Sequence, residues 1–474
     1  MKLLIKAVLI HFLLLNNIII YSQSIFNPNP IKNLLFEKNS LRNSKLINPS
    51  ISNFKIIYNQ FYYLNTNLPN LENLNGLYLN KGFGSFTGLL FIFNNDNFLI
   101  TAEPRINLLK DYPNELPIKK KSFSVLNDVP LSENERNSEN LFKNTGIKLK
   151  YNRFNLGYGN WNQWWGPGIH NSLIMSNNST GFYHLNVEID NSNIQKSNFK
   201  YRLRYILSNS FINNANSKYY LSGWFLNISF NKIEVGASRN ILSGGYQDLN
   251  WGYFDAMLIP FTNKNLKYWD EINDYFIKYT SKKDKLVIFI EYGVPNRFFD
   301  GKNPAIYNNH STGSNIGFRK YDAFDKTGLL LGAEYTRLVQ GQFFDRIPTP
   351  NWYDNIKYNY SSYNGRRWAA HSGSDSDDLL LYFGHLDSKK SIIFGFNYER
   401  HGVTYIFPPE VKFEYRLSAS YKIFNTFITI NYENEYFEHY SFVDNSDNVW
   451  NNDFEVGSVQ RSKTLLLSIE KEIR

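Results

Sequence analysis

Three tryptophans, a glutamine and a rigid turn crowd one short stretch: Trp161, Gln163, Trp164, Trp165, then Gly166, Pro167 and Gly168, with Ser172 soon after. An indole face matches the apolar face of a pyranose, so tryptophans in exposed loops can bind sugar. Trp251, Trp352 and Trp368 are further candidates. Arg366 and Arg367 stand beside Trp368. A guanidinium fork suits a carboxylate such as an acidic sugar carries. Each of these residues also has an ordinary reading. Trp164 and Trp165 serve first as structural residues at the Gly166-Pro167-Gly168 turn. For Trp352 and Trp368 binding and packing are evenly matched. The arginine pair can close its own loop against Asp375, Asp377 and Asp378, and this reading is slightly preferred.

Other chemistries find less support. Asp375-Ser376-Asp377-Asp378 supplies hard oxygen ligands, yet it lacks the glycine and terminal glutamate of a calcium loop and reads as solvated. His170, His371 and His401 have no metal-ligand spacing, so no metal or other cofactor is assigned. No G-x-S-x-G elbow occurs, and no local signature singles out a Ser–His pair. Paired carboxylates for sugar cleavage meet in space and leave no spacing to read. No catalytic residue is therefore named.

The chain has 474 residues, 42% of them hydrophobic and 17% aromatic, with no cysteine and a formal charge of +9. Absent cysteine excludes disulfides, thiolate metal sites and a cysteine nucleophile. The hydrophobic content is too high for a disordered chain. A mean hydropathy of −0.42 does not fit a bundle of membrane helices, whereas a β-barrel escapes that average because its strands alternate. Met1–Ser22 has Lys2 and Lys6 before an apolar run and reads as a secretory signal peptide. Its removal lowers the charge to about +7. The charge is modest and dispersed, which argues against nucleic acid.

Alternation is the main structural signal. Val411, Phe413, Tyr415, Leu417, Ala419 and Tyr421 point one way; Lys412, Glu414, Arg416, Ser418 and Ser420 point the other. The same pattern recurs over 183–189, 199–207, 224–230, 392–399 and 465–473, and more weakly over 285–293 and 329–337. A soluble sandwich would bury the apolar faces, whereas a membrane barrel would turn them to lipid. Strand length and aromatic residues near strand ends favour the barrel. At ~25 residues per strand and loop, the mature chain accommodates on the order of 18 strands. Residues 241–265, 294–326, 341–378 and 433–461 read as extracellular loops. Residues 106–142 read as a loop, or as a short helix over 131–142. A strand over 147–158 slips parity between Tyr151 and Phe154, which suggests a bulge. Arg202, Arg204, Lys200, Arg416 and Lys412 are expected to face the lumen and pair with Glu188, Glu414 and Glu399.

The stretch Gln163-Trp164-Trp165-Gly166-Pro167-Gly168, with Ser172-Leu173-Ile174 and Gly181-Phe182, resembles the Wzi family of capsule-assembly outer-membrane proteins. Two further blocks are similar to it: Glu234-Val235-Gly236-Ala237-Ser238-Arg239 with Gly244-Gly245, and Tyr363 to Trp368 followed by His371 to Asp378. The resemblance implies an all-β, transmembrane antiparallel barrel of about 18 strands with long extracellular loops and room for short periplasmic helices. It implies a division into a signal peptide (1–22), a periplasmic segment leading into the first strands (23–80) and the barrel (81–474). It implies a non-enzymatic, lectin-like role in attaching or assembling capsular or other surface polysaccharide, in contact with outer-membrane lipids and polysaccharide export machinery. A porin or substrate-specific channel is the alternative. Two features depart from the family: no helical module is legible in 23–80, where caps and periodicity are poor, and the end Glu472-Ile473-Arg474 is not aromatic.

Overall fold

In the computed structural model the alternating stretches become neighbouring strands of one closed sheet. The structure describes residues 30–42, 54–68, 72–77, 79, 81–108, 142–191, 199–210, 218–245, 252–261, 269–295, 312–339, 352–353, 355–363, 366–404, 408–440 and 459–473. The expected signal peptide, the optional helix over 131–142 and Trp251 lie outside the described residues.

The strands are β1 (Phe54–Asn65), β2 (Gly82–Asn94), β3 (Phe98–Leu108), β4 (Phe142–Tyr151), β5 (Phe154–Gly159), β6 (His184–Asp190), β7 (Phe199–Ser208), β8 (Tyr219–Phe230), β9 (Ile233–Gly244) and β10 (Trp269–Ser281). They continue as β11 (Leu286–Pro295), β12 (Thr312–Tyr321), β13 (Leu329–Val339), β16 (Ser376–Leu386), β17 (Lys390–His401), β18 (Glu410–Ile423), β19 (Thr426–Glu438) and β20 (Val459–Glu472). A separate hairpin, β14 (Ser362–Tyr363) with β15 (Arg366–Arg367), lies off the wall. Each wall strand pairs antiparallel with the next, and β1 closes on β20 from Ile57 opposite Glu472 to Asn65 opposite Thr464. The result is an 18-stranded antiparallel barrel, with every edge paired.

The faces are inverted relative to a soluble protein. Ile290, Phe318, Phe383, Phe394 and Tyr415 are exposed on the outer wall, while Glu188, Glu291, Glu334, Glu399, Lys412 and Glu414 are buried inside. This is the distribution expected where lipid surrounds the barrel. Among the described strands, one end carries tight connections such as 152–153, 231–232 and 424–425, together with the start of β1 and the end of β20. The long connections gather at the opposite end.

Two local readings change. The parity slip near Tyr151 is a hairpin, with Asn152-Arg153 turning the chain and Asn152 at φ 53°. A two-residue turn shifts parity as a bulge does, and asparagine tolerates the left-handed conformation. An actual register shift lies in β3, between Thr101 and Glu103. In addition, β12 occupies Thr312–Tyr321, inside the expected loop 294–326. Its pattern was weak because Ser314 and Lys320 interrupt the apolar outer face and Gly313 and Gly317 leave the inner face without side chains at their positions.

Helix α1 (Pro30–Arg42) enters the lumen from the short-turn end. Proline at its first position needs no N–H partner there. Ile31, Leu34 and Leu41 form a stripe at helical spacing that packs on Val287, Tyr321, Leu330, Leu386 and Ile393. The helix was illegible in the sequence because this stripe is narrow and its polar positions are themselves buried. Lys38 donates to the Leu386 carbonyl and lies 3.4 Å from Asp322.

A second short helix, α2 (Tyr253–Leu258), and the turn Ile259–Phe261 lie on the outer wall. Ala256 packs with Leu207 and Tyr220, and Ile259 with Ile241 and Trp269.

Candidate functional site

The glycine- and tryptophan-rich stretch does not stay outside the barrel. Residues 160–183 fold down into the lumen, and the wall's buried carboxylates hold their backbone. Glu334 on β13 accepts from the N–H groups of Ile169 (2.9 Å), His170 (3.1 Å) and Asn171 (2.7 Å). Glu291 on β11 accepts from the Leu173 N–H at 3.0 Å. Arg319 on β12 donates to the Pro167 carbonyl at 3.0 Å. Such charge-assisted bonds fix a loop that has no sheet of its own. A Cβ on Gly168 would fall 2.4 Å from the Asn171 carbonyl, and one on Gly166 would fall 2.9 Å from Glu291. The Ser172 hydroxyl donates to the Trp165 carbonyl. Thus Gly166, Pro167, Gly168 and Ser172 shape the plug itself.

The described residues of a second long-end segment, 352–353, 355–363 and 366–375, lie over the first. Ser176 N–H donates to the Trp368 carbonyl at 2.6 Å, and the Tyr353 hydroxyl donates to the Leu173 carbonyl at 2.6 Å. Trp165, Leu173, Ile174, Met175 and Phe182 form one apolar core with Trp352, Tyr353, Trp368, Phe225 and Phe276. Gly236 on β9 stands opposite Phe276, where a Cβ would come within 2.0 Å of the ring.

This packing decides where the candidate sugar-binding residues sit. Trp165, Trp352, Trp368, Arg366 and Arg367 are buried and present no open face to solvent. Arg366 and Arg367 form β15, and the Arg367 guanidinium lies 5.7 Å from the centre of the Tyr353 ring. The aspartate stretch is not a solvated loop: the structure buries it. Asp375 accepts from Thr404 N–H at 2.9 Å, Asp377 pairs with Arg400 at 2.5 Å, and Asp378 points into the lumen as part of β16. The three carboxylates take partners other than a free loop would offer, because strand alternation sends neighbours to opposite faces.

Gln163 and Trp164 are half-buried, and with the buried Trp161 they edge an open space. They line a lumen cavity of about 530 Å³, bounded by α1 and the walls of β4 and β6 to β10. Trp161 donates from its indole N–H to Thr101 at 2.9 Å and lies under Lys148, whose ammonium is 5.6 Å from its ring. The cavity also receives Arg202, Arg204, Glu188, Glu37 and Arg319. Arg204 pairs with Glu188 at 3.2 Å, as the strand faces predicted, whereas Arg202 takes Asp190 at 2.8 Å and stands 3.7 Å from Glu188. Further round the lumen, Lys412 pairs with Glu399 at 3.3 Å and Glu414 at 3.2 Å. At the mouth, Glu37 of α1 receives Arg319 at 2.7 Å and the Tyr321 hydroxyl at 2.7 Å. Burial alone would raise the Glu37 carboxyl, but the charges of Arg319 and Lys278 and these hydrogen bonds hold it down at about 2.

The histidines are also brought together, contrary to the reading from spacing. His170 of the plug and His371 of the second segment have ring centres 4.4 Å apart. His170 Nε2 lies 3.0 Å from Asp378, and His371 Nε2 lies 2.7 Å from Glu399. Donor atoms of these four residues lie within 4.8 Å of one another, close enough to surround a metal. Hydrogen bonds already explain the arrangement. The Asn73 amide nitrogen faces His371 Nδ1 at 3.2 Å, which fixes the proton on the nitrogen facing Glu399. Asn171 and Asn397 donate to Asp378 at 2.7 and 2.5 Å. The group is a polar lock joining plug to wall. Residues 200 positions apart in sequence left no signal by which to find it.

Comparison with known proteins agrees with this architecture. The sequence profile of the family described as capsule assembly protein Wzi matches residues 96–451. A solved structure with a similar fold is described as Wzi, an outer-membrane protein involved in group 1 capsule assembly in Escherichia coli and a carbohydrate-binding β-barrel. It is 12% identical, with a TM-score of 0.59, over 87% of this chain and 83% of that one. OccK3 of Pseudomonas aeruginosa is 8% identical, with a TM-score of 0.49, over 89% of this chain and 96% of that one. OccAB2 of Acinetobacter baumannii is 9% identical, with a TM-score of 0.45, over 90% and 99%. No curated relative matches the chain by sequence.

Proposed function

The chain belongs to the family of the capsule assembly protein Wzi, and from that premise we propose that it is an outer-membrane protein that binds capsular or other surface polysaccharide and helps hold it at the cell surface without catalysing a reaction. The observation that carries this reading is a lumen obstructed at two levels. Helix α1 occupies the short-turn mouth, and residues 160–183 pack with Trp352, Tyr353, Tyr358 and Trp368 into an apolar core further up. A substrate-specific channel or porin needs a wet conduit, so the packing weighs against that alternative.

The chain is exported through its N-terminal signal, Met1–Ser22. Its outer wall meets the lipids, the long-loop end faces outward, and the helix end faces the periplasm and the export machinery. Sugar contact falls first to Trp161 and Trp164, which line the cavity with Lys148 and Arg204. Trp165, Trp352, Arg366, Arg367 and Trp368 pack the plug that closes the cavity and take no part in that contact. Deleting the gene in a strain shown to make capsule should shift polysaccharide from the cell-bound to the shed fraction. Unchanged retention would overturn the proposal, and a large steady conductance of the purified protein in a planar bilayer would favour the channel.

A further inference from the structure

Arg239, part of one family-like block, lies on the wrong side of the wall for a charge. It stands opposite Trp224 of β8, and Ile241 on the same face stands opposite Glu271 of β10. Along β9 this outer face carries Ile233, Val235 and Ala237 below Arg239, and Ile233 and Val235 are exposed to the lipid side. Arg239 pairs with Glu271 and donates to the Pro260 carbonyl at 3.2 Å. The Trp224 indole donates to the same carbonyl at 3.3 Å, and the Tyr205 hydroxyl donates to the Met257 carbonyl at 3.1 Å. The segment 252–261 therefore caps an ion pair on the outer wall and offers Arg239 one backbone carbonyl, that of Pro260. Without that cap, the pair would face hydrocarbon.

The cap has an outer surface of its own. Tyr253, Phe254, Leu258 and Phe261 are exposed, Phe254 and Phe261 each at 67%. Four large apolar side chains within nine residues do not suit a water-bathed loop. Arg239 lies six residues up β9 from the tight turn, about 20 Å along the strand at 3.3 Å per residue. The patch is continuous with the lipid-facing belt beneath it, where Leu203, Val235 and Tyr275 are exposed on β7, β9 and β10. We infer that residues 252–261 seat in the outer leaflet of the membrane, with Phe254, Leu258 and Phe261 among acyl chains and the exposed Asp255 toward the headgroups, as an interfacial wedge that shields the Arg239–Glu271 pair. Segments lying in the interface plane bury Phe and Leu side chains in this way, and Asp255 is the one charge among residues 252–261.

The absence of cysteine makes the test direct. Single variants Phe254→Cys and Phe261→Cys are nitroxide-labelled in the full-length protein and reconstituted in phosphatidylcholine–phosphatidylglycerol vesicles. Collision with oxygen, which partitions into lipid, is compared with collision with a water-soluble nickel chelate. Ile290→Cys on the wall gives the lipid reference, and Phe424→Cys, in a tight turn and 92% exposed, gives the water reference. The expected result is an oxygen-to-nickel ratio for 254 and 261 at least fivefold above that of 424 and close to that of 290. A ratio equal to that of 424 at both sites overturns the inference. So does spin–spin broadening that disappears on dilution with unlabelled protein, since it would show a second copy on the patch. Should either labelled variant fail to fold, Leu258→Cys reports on the same face.

Discussion

Glu334 holds the Asn171 N–H at 2.7 Å, across 163 residues of sequence, and the same carboxylate takes the N–H groups of Ile169 and His170. One wall residue thereby stands in for the sheet partner that residues 169–171 lack. Replacing it by alanine leaves three N–H groups in the barrel interior without their acceptor. The expected loss is on the order of 3 kcal/mol of plug docking. It should appear as earlier heat unfolding in detergent, followed by gel mobility, and as a rise in bilayer conductance. Glu334→Gln should be intermediate, because it keeps one acceptor and loses the charge.

Helix α1 should respond to acid. The Glu37 carboxyl is held at about 2 in the folded protein, well below its usual value. A depressed carboxylate contributes its stability fully above the unfolded value, and the contribution is lost as pH falls through the folded one. The window is therefore about pH 4.5 down to 2. Leu34 lies on the packed face of the helix, so a Leu34→Cys variant should label slowly at pH 6 and faster toward pH 3 with a thiol reagent that tolerates acid. Glu37→Gln should label fast throughout. Acid-independent labelling of the Leu34→Cys protein would show that the Glu37–Arg319 pair does not hold the helix.

The tryptophans should separate by position. Trp164→Ala, with Trp161→Phe as a milder change, should weaken polysaccharide binding by about tenfold, or about 1.4 kcal/mol, while heat resistance is kept. Trp165→Ala should instead cost about 3–5 kcal/mol of stability, since Trp165 is fully buried in the plug core. Equal binding by wild type and Trp164→Ala on a glycan-coated surface would remove the cavity from the site.

Arg239→Met should free the outer cap. Glu271 would be left without its cation, and breaking a buried pair costs about 3–5 kcal/mol. Limited proteolysis should then cut within 245–268 at protease levels that leave the wild type intact. The double change Arg239→Met with Glu271→Leu should recover much of the protection, because no lone charge remains.

Much of the wall was legible because a barrel strand is a local pattern. Val411 to Tyr421 announces two faces within eleven residues, and β18 follows it. Where serine and lysine break the apolar face and glycine thins the other, as in β12, the pattern failed. Helix α1 was missed for a related reason: one side of it buries Lys38 and pairs Glu37, so polar residues stand where periodicity demands apolar ones.

By itself the sequence determined the alternating strands, the inverted faces, the lack of cross-links and a family-like motif, all of them properties of neighbours along the chain. Tertiary structure decided what the motif is for. Whether Trp165 meets solvent or Phe225, and whether His170 meets water or Asp378, depends on closure of β1 on β20. That closure creates an interior in which distant residues become neighbours. Only then do the buried carboxylates of β11, β13 and β16 need donors, and the backbone N–H and asparagine groups of residues 169–173 supply them.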